Sequence, residues 1–345
     1  MKITQVLLSP RIGGAEALAA SLESHWTAVD VSVSTVFLDE DTDSPRSRLK
    51  RISLLRRKLR EQRPDIVLAH SAIPNIYARL AAPLPTPVIT VLHSASDDFA
   101  ARRARILERI LLVRTAHVVA VSAWQQQKYI EYFGFADRVS IIPNGIRSDI
   151  RHRAQAREVP RSLVTVARIA NQKNPSLWAS VAELLHARNS PLSLTWWGPL
   201  PASADLRDLM AAFASVPSSG RFAGPTADVP WALETADAMF HPADREAHSI
   251  GVLEAAAAGL PIVCSRAVAA TLAPGVVTVP YEDAEPKSAV DAILHLCDNW
   301  EELATAAVRG ASEIAKEFSI QSCAQRYISL FEKVLHGDTN AAGTK

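Results

Sequence analysis

AMFHPADREAHSIGVLEAAAAGLPIVC, residues 238–264, places two short apolar runs on either side of a polar loop and an alanine-rich segment. AMFHP and PIVC are typical of buried strands, and IGVLEAAAAG has the composition of a helix that ends at Gly259. A strand, a crossover helix and a second strand form the unit that joins neighbours in a parallel sheet. The stretch therefore predicts a parallel sheet covered by helices.

The same alternation continues along the chain. Strand-like runs in the first half are ITQVLL, VSVSTVFL, DIVLAH, PVITVLH, HVVAVS and VSIIP, and in the second half SLVTVARI, LSLTWWG, RFAG, AMFHP, PIVC and VVTVP. The pattern predicts an α/β fold of two doubly wound domains, residues 1–150 and 151–318, with their boundary in the polar segment 145–162. A helix at 319–336 and a frayed tail at 337–345 complete the chain.

Composition limits the class of protein. The chain has 345 residues, of which 48% are hydrophobic and 21% are charged, as in a globular protein. The apolar run near the N-terminus is too short for a secretory signal, and no segment approaches the ~18 apolar residues of a membrane span. Cys264, Cys297 and Cys323 are far apart, which indicates neither a disulfide framework nor a zinc site. We therefore expect a cytoplasmic protein.

Charge is distributed unevenly between the two halves. Residues 1–150 hold 20 Lys and Arg against 15 Asp and Glu, and residues 151–345 hold 17 against 21, which gives net charges of +5 and −4. The excess lies in two helix-like segments, 46–63 and 101–114. No aromatic platform or recognition motif accompanies them, so nucleic acid is disfavoured as a partner. They suit an anionic membrane surface, or they are the solvated faces of ordinary surface helices.

Loops after strands are the expected ligand sites in such sheets. Gly13 and Gly14 follow the first strand and precede a helix, but the segment has neither the P-loop pattern nor GxGxxG. Arg168 and Lys173 follow the first strand of the second half. Two cations there can hold a diphosphate and neutralise its charge as it leaves, although each alone is equally an ordinary surface cation.

The carboxylates of the opening stretch lie where a helix begins. Glu246 precedes this helix, and Glu254 falls in its second turn. The amides of His248, Ser249, Ile250 and Gly251 would face an anion, while the carboxylates accept hydrogen bonds from sugar hydroxyls. A site that combines backbone amides, cations and carboxylate acceptors suits a nucleotide sugar. Alternatively, Glu254 is an ordinary surface residue of a helix and Glu246 an ordinary acidic residue of a loop.

Six segments occur in a recognisable order. They are GGAE (13–16), IIPNGI (141–146), ARIANQKN (167–174), WWGPL (196–200), RFAGPTADVPWALETADAMFHPA (221–243) and the pair of glutamates at 246 and 254. Together they resemble the retaining glycosyltransferases of family 4, which have the GT-B fold, two Rossmann-like domains facing each other across a cleft. The resemblance covers nearly the whole chain. It implies that residues 1–150 bind the acceptor, that 151–318 bind the donor, and that helix 319–336 crosses back to the first domain.

The resemblance also implies roles for individual residues. Arg168 and Lys173 hold the donor diphosphate, Glu254 the nucleotide ribose and Glu246 the donor sugar. His93 matches the histidine near the reacting sugar. The remaining residues that it places around the donor are Gly13, Gly14, Asn144, Gly198, His248, Ser249, Ile250 and Gly251, with Gly145 beside Asn144 shaping the cleft.

This sequence departs from the family pattern at two places. EAHS replaces the usual Glu-Gly-Phe-Gly, and Ala167 replaces the common glycine before the phosphate arginine. In the first departure, Ala247 and His248 stand where residues of the family contact the donor. The family pattern therefore does not specify the donor sugar of this protein.

The implied reaction moves a hexose-type sugar from a nucleoside diphosphate sugar, with uridine the commonest base, to a hydroxyl of a carbohydrate or lipid-linked acceptor. Retention can arise through a carboxylate nucleophile or by front-face return, which the resemblance favours. We expect no cofactor and no essential divalent metal. Polysaccharide, lipopolysaccharide or glycolipid synthesis at the inner face of a membrane fits this reaction.

Other functions remain compatible with such a fold. A sugar-nucleotide epimerase or a phosphorylase has the same architecture. The paired glutamates with the two cations disfavour the epimerase, and the absence of an evident pyridoxal-phosphate lysine from this sequence disfavours the phosphorylase. An inactive homologue that binds a nucleotide sugar or a partner enzyme is the alternative from a different class.

Overall fold

The computed structural model describes residues 1–10, 13–39, 47–95, 97–199, 208 and 220–337. These residues form two compact units. The N-terminal unit comprises Met1–Gly145 and the C-terminal segment from Ile320 onward, and the C-terminal unit comprises Ile146–Ser319. The end of the predicted tail, residues 338–345, and Arg46 of the first basic segment lie outside the described residues.

The N-terminal unit is built on a parallel sheet with the strand order β2-β1-β3-β4-β5-β6. Its strands are β1 (Lys2–Leu7), β2 (Ser32–Phe37), β3 (Ile66–His70), β4 (Val88–Leu92), β5 (His117–Ala120) and β6 (Val139–Ile141). The helices between them are α1 (Gly14–Thr27), α2 (Arg48–Gln62), α3 (Ala72–Ala81), α4 (Arg102–Leu111) and α5 (Ala123–Phe133). Every residue of β3, β4 and β5 is buried, as expected for strands covered on both faces.

The C-terminal unit has a second parallel sheet, with the order β12-β11-β10-β7-β8-β9. Its strands are β7 (Ser162–Val166), β8 (Ser193–Trp197), β9 (Gly220–Gly224), β10 (Ala238–His241), β11 (Ile262–Ser265) and β12 (Thr278–Tyr281). Its described helices are α6 (Pro175–Ala187), α7 (Val229–Thr235), α8 (Ile250–Ala257), α9 (Arg266–Ala269), α10 (Pro286–Asp298) and α11 (Trp300–Glu317). Leu163 packs with Trp178 on one face of this sheet, and its neighbour Val164 packs with Leu233 on the other.

Each apolar run that was predicted to be a strand forms one, so the doubly wound α/β fold class is confirmed. The two basic segments are helical, as α2 and as α4 followed by a short 3-10 turn, Leu112–Arg114. Within the described ranges, no helix has the length and apolarity needed to cross a membrane.

The last helix, α12 (Ile320–His336), belongs to the N-terminal unit and packs on α1. The indole Nε1 of Trp26 donates to the carbonyl of Ala324 at 3.2 Å. Its ring meets Tyr327 and Phe331 edge-on, with centroids 5.8 and 5.3 Å away. Burial of these rings fixes the end of the chain to the unit in which the chain began.

The structural boundary between the units follows Gly145, at the start of the predicted boundary segment 145–162 and before the predicted domain limit at residue 150. Ile146 is buried with Leu253 and Phe318 of the C-terminal unit, and its amide donates to the carbonyl of Phe318 at 2.8 Å. The sequence prediction followed the polar segment beyond this residue. The apolar contacts of Ile146 with a helix distant in sequence set the boundary instead.

A buried ionic cluster joins three helices of the N-terminal unit. Arg79 on α3 makes two parallel hydrogen bonds of 2.7 Å to the carboxylate of Glu108 on α4. Tyr129 on α5 donates to the same carboxylate at 2.6 Å, and Thr115 accepts a further bond from Arg79 at 3.2 Å. Because the buried charges are paired and hydrogen-bonded, the cluster orients these helices without leaving an uncompensated charge.

Candidate functional site

Each sheet has one point where the chain changes its direction of winding, and parallel α/β sheets bind ligands outside the carboxyl ends of the strands there. This point lies between β1 and β3 in the N-terminal unit and between β7 and β10 in the C-terminal unit. The predicted residues follow strands of these sheets. Those that follow strands of the first sheet are Gly13, Gly14, His93 and Asn144, and those that follow strands of the second are Arg168, Lys173, Gly198 and Glu246.

Two glycines bring the loops of the C-terminal unit close together. A Cβ atom on Gly198 would lie 1.8 Å from the carbonyl oxygen of Ala167, and one on Gly251 would lie 2.6 Å from that of Val166. Both carbonyls belong to the backbone that leaves β7, so any side chain at either glycine requires the backbone to move. The loop after β8 and the first turn of α8 are therefore held against the end of β7.

Lys173 and Glu246 form the centre of this site. Lys173 lies in a 3-10 turn after β7, and its ammonium contacts the carboxylate of Glu246, which follows β10. Asn174 comes next with a left-handed φ of 49°. Its side chain caps α6 by accepting from the amide of Leu177 at 3.0 Å and donates to Asp244 at 3.0 Å. Asn174 thus fixes the turn that presents Lys173 to the loop after β10.

Arg168 differs from Lys173. Its side chain is exposed, and it makes no hydrogen bond or ion pair with any described residue. The structure therefore brings together Lys173 and Glu246 but leaves the second predicted phosphate cation open to solvent at the end of β7. An exposed guanidinium in this position has all its donors available to an anion.

His241, the last residue of β10, was not singled out from the sequence. Its Nε2 lies 2.9 Å from Glu246 Oε1, and both side chains are buried. Burial alone would raise the pKa of Glu246, but the hydrogen bond from His241 and the adjacent Lys173 ammonium lower the pKa to about 2. Glu246 is therefore a carboxylate at neutral pH, able to accept hydrogen bonds.

The helix after this loop begins at Ile250, close to the predicted start. Ser249 is its N-cap residue, with extended backbone and no hydrogen bond from its side chain to the helix. Ser249 and His248 are both buried, and the His248 ring packs on Phe318 with centroids 5.5 Å apart. The Ser249 side chain thus leaves the first-turn amides of α8 uncapped at the positive end of the helix dipole.

Glu254 lies one turn further along α8 and is buried. Burial raises its pKa to about 7, against the opposing effects of the Arg147 charge and of a hydrogen bond from the Arg147 backbone amide. Arg147 itself is paired with Asp149 through contacts of 2.6 and 2.9 Å. Glu254 is therefore a carboxyl group that gains or loses its proton as the pH changes near neutrality.

In the N-terminal unit, His93 follows β4 and meets a second histidine. His93 Nε2 lies 3.1 Å from His70 Nδ1, and the rings stack with centroids 5.3 Å apart. His70 Nε2 lies 3.1 Å from Gln5 Oε1, and Gln5 Nε2 donates to the carbonyl of Ala19 at 3.0 Å. Sequence reasoning missed Gln5 and His70, although His70 ends a strand next to β4 and this position was the available signal.

The other predicted residues of this unit have plainer surroundings. Gly13 is the extended N-cap of α1, and among the described residues a Cβ there would meet the flexible carboxylate of Glu16, at 2.6 Å. Gly14 is exposed, and Asn144 is buried. Gly145 has a packing role, because a Cβ would come within 2.9 Å of both Ile320 and Cys323 on α12.

Two family models match successive parts of the chain. Glycosyltransferase Family 4 matches residues 6–150, and Glycosyl transferases group 1 matches residues 160–299. A relative, O-antigen chain mannosyltransferase B of Escherichia coli, is 34% identical over 114 residues. That segment is 31% of this chain and 28% of the relative, so the match spans less than a third of either protein.

Solved structures share the fold at low sequence identity. HepE of Anabaena, crystallised with UDP and glucose, has a TM-score of 0.77 and 15% identity, and the match covers 96% of this chain and 99% of that one. Sucrose-phosphate synthase of Thermosynechococcus elongatus has a TM-score of 0.79 and 16% identity, with 97% and 99% covered. The architecture is thus the GT-B fold. With both halves matched by glycosyltransferase families, the chain belongs to the family 4 type of glycosyltransferases.

Proposed function

We propose that this protein is a retaining glycosyltransferase that moves a hexose-type sugar from a nucleoside diphosphate sugar, with uridine as the base, to an acceptor hydroxyl. One observation carries the proposal. Lys173, Glu246 and His241 meet at the point where the second sheet changes direction, beside the uncapped start of α8 and the buried Glu254. The complexes of HepE with UDP and with UDP-glucose support a donor of this class.

Each part of the site suits one part of such a donor. The Arg168 guanidinium, the Lys173 ammonium and the amides of α8 would hold the diphosphate. The Glu246 carboxylate would accept hydrogen bonds from sugar hydroxyls, and Glu254 would accept from the ribose. Lys173 contacts Glu246, so the cation that would hold the diphosphate lies next to the carboxylate that would hold the sugar.

The reaction that these residues support is front-face return. The bond between the anomeric carbon and the diphosphate oxygen breaks, and a bond from the acceptor oxygen forms on the same face. The acceptor proton passes to an oxygen of the departing phosphate. Arg168 and Lys173 stabilise the negative charge that develops on this leaving group. With these two cations, the reaction would need no divalent metal ion. Undiminished turnover in excess chelator would support this route, whereas loss of activity restored by magnesium or manganese would contradict it.

For the acceptor, we propose a carbohydrate or lipid-linked glycan presented at the inner face of an anionic membrane. The observation that favours a membrane is a surface on α4 and the 3-10 turn that follows it, called here the outer face of α4 and defined as Arg102, Arg103, Ile106, Ile110 and Val113. Its three apolar side chains are 47%, 63% and 85% exposed, and both arginines are exposed as well. Apolar side chains next to exposed cations suit the boundary between lipid headgroups and acyl chains.

Thermal unfolding with a panel of nucleoside diphosphates and their sugars tests the donor site. A ligand that binds only the folded state raises the Tm by mass action. We expect a shift with one base that is lost in Lys173→Gln, followed by sugar transfer or slow hydrolysis of that donor. Binding without turnover would favour an inactive homologue, and conversion of the donor to an isomeric nucleotide sugar would favour the epimerase.

A further inference from the structure

The histidine pair of the N-terminal unit has a polar arrangement that only one assignment of protons satisfies. Gln5 Nε2 lies 3.0 Å from the carbonyl oxygen of Ala19, which can only accept, so this atom must be the amide nitrogen. The amide oxygen of Gln5 then faces His70 Nε2 at 3.1 Å and requires a proton on that ring nitrogen. The backbone of α1 thus fixes the orientation of the Gln5 side chain.

The same reasoning extends to His93. A neutral His70 that carries its proton on Nε2 has a lone pair on Nδ1, 3.1 Å from His93 Nε2. His93 must therefore donate from Nε2, which leaves a lone pair on its own Nδ1. Both rings are neutral near pH 7, because burial lowers the pKa of His93 to about 4 and holds the pKa of His70 well below its usual range. Neutral rings make this chain of donors and acceptors unique.

We infer that Gln5 and His70 are positioning residues that fix the tautomer of His93, so that its Nδ1 is a hydrogen-bond acceptor for a hydroxyl of the substrate. His93 is half-buried and follows β4, next to the strand that carries His70, whereas Gln5 and His70 are fully enclosed. No described residue donates to His93 Nδ1. The role in catalysis rests on the proposed sugar transfer, but the tautomer itself does not.

This arrangement has a consequence for specificity. An imidazole that could exchange tautomers would accept from a hydroxyl or donate to a carbonyl. With Nε2–H engaged by His70, the free nitrogen of His93 can only accept. A substrate that presents a hydroxyl to this nitrogen forms a hydrogen bond, whereas one that presents a carboxylate or a carbonyl oxygen places two acceptors face to face.

The tautomer can be measured directly by ¹⁵N NMR on the full chain labelled at histidine, with His93→Gln identifying the signals of His93. We expect a protonated Nε2 and an unprotonated Nδ1 on His93 in the free protein near pH 7. His70→Leu removes the acceptor, and Gln5→Met removes the group that fixes His70. Either should give His93 a mixture of tautomers. A major Nδ1–H tautomer in the unsubstituted protein would overturn the inference, whether or not any donor is turned over.

Kinetics test the catalytic role separately. His70→Leu should lower kcat/KM by about tenfold or more, which corresponds to the loss of one hydrogen bond in the transition state. His70→Asn, whose side-chain oxygen can replace Nδ1 as acceptor, should recover most of this loss. Equal kcat/KM in the unsubstituted protein and in a folded His70→Leu would contradict the positioning role. Absence of transfer in the unsubstituted protein with every donor would instead reject the proposed function, and the NMR result would still decide the tautomer.

Discussion

Lys173 and Glu246, which are 73 residues apart in the chain, form an ion pair whose side chains are only 13% and 8% exposed. Their strands, β7 and β10, are neighbours in the sheet because the chain returns to the centre after β9. A buried pair of this kind is weak evidence for stability, since desolvation opposes the attraction between the charges. The pair lies at the carboxyl ends of β7 and β10, where parallel α/β sheets bind ligands, and this position indicates a functional role rather than a stabilising one.

Replacing Lys173 tests this interpretation. Lys173→Gln keeps most of the side-chain length and removes the charge that would stabilise the leaving diphosphate. We expect kcat to fall by roughly 10²- to 10³-fold, because the interaction is strongest in the transition state. Lys287→Gln, at an exposed lysine on α10 of the same unit, is the matched control. Equal turnover in the two variants, each folded by circular dichroism, would remove Lys173 from the mechanism.

The loops after β7 and β8 approach each other closely. We therefore expect alanine to destabilise the protein more at Gly198 than at Gly13. Gly198→Ala places a methyl group 1.8 Å from the backbone of Ala167, and the backbone must shift to relieve the contact. We expect this variant to lower the free energy of unfolding by about 1–3 kcal/mol or more. Among the described residues, the methyl group of Gly13→Ala meets the flexible end of the Glu16 side chain, so this variant should leave stability nearly unchanged. Denaturant titration of both variants provides the comparison, and similar midpoints would show that the Gly198 loop is not tightly packed.

The buried cluster of the N-terminal unit predicts a strong loss of stability. Arg79→Met leaves the Glu108 carboxylate buried with Tyr129 and without its cation. Removing one partner of a buried pair is expected to destabilise by about 3–5 kcal/mol. Lys128→Ala breaks the solvent-exposed pair with Glu131 and should cause no measurable change. Thermal unfolding that ranks the two variants in the opposite order would contradict the structural role of the cluster.

The central strands β3, β4 and β5 were predictable because each is a nearly continuous apolar run, and a strand buried on both faces requires such a run. The helix containing Glu254 was predictable because alanine and leucine precede a glycine stop. The contact of Glu246 with His241 was not predictable, because it depends on the conformation of the loop after β10. The contact of His93 with His70 depends on which strands are neighbours, and local sequence patterns do not specify strand order. The role of Gly145 depends likewise on a helix that begins at Ile320, far along the chain.

The outer face of α4 predicts salt-dependent binding to lipid. We expect the protein to cosediment with anionic vesicles at low salt, and less so as salt screens the two arginines. Arg102→Gln combined with Arg103→Gln should weaken binding, whereas Arg309→Gln, at an exposed arginine of the C-terminal unit, should not. Ile110→Asn should weaken binding at every salt concentration, and Val159→Asn, at an exposed valine elsewhere, is its control. Lack of binding even at low salt would show that these are ordinary solvated faces.

Glu254 predicts a pH dependence of stability. Its pKa is raised from 4.5 in an unfolded chain to about 7 in the folded protein, so the folded state holds the proton more tightly. The stability that this group contributes is fully present below about pH 4.5 and is lost as the pH rises toward 7. A shift of this size corresponds to a loss on the order of 3 kcal/mol across that interval.

Glu254→Gln removes the titrating group and keeps the shape of the side chain. We therefore expect the variant to become more stable relative to the unsubstituted protein as the pH rises through this interval, measured by urea unfolding at pH 4.5, 5.5, 6.5 and 7.5. A difference in unfolding free energy that stays constant with pH would show that Glu254 titrates normally. Because a hydroxyl that donates to the carboxylate favours its charged form, a bound nucleoside diphosphate should reduce the pH dependence of the unsubstituted protein. The same ligand should leave the slope of Glu254→Gln unchanged, which separates the effect on this carboxyl group from general stabilisation by the ligand.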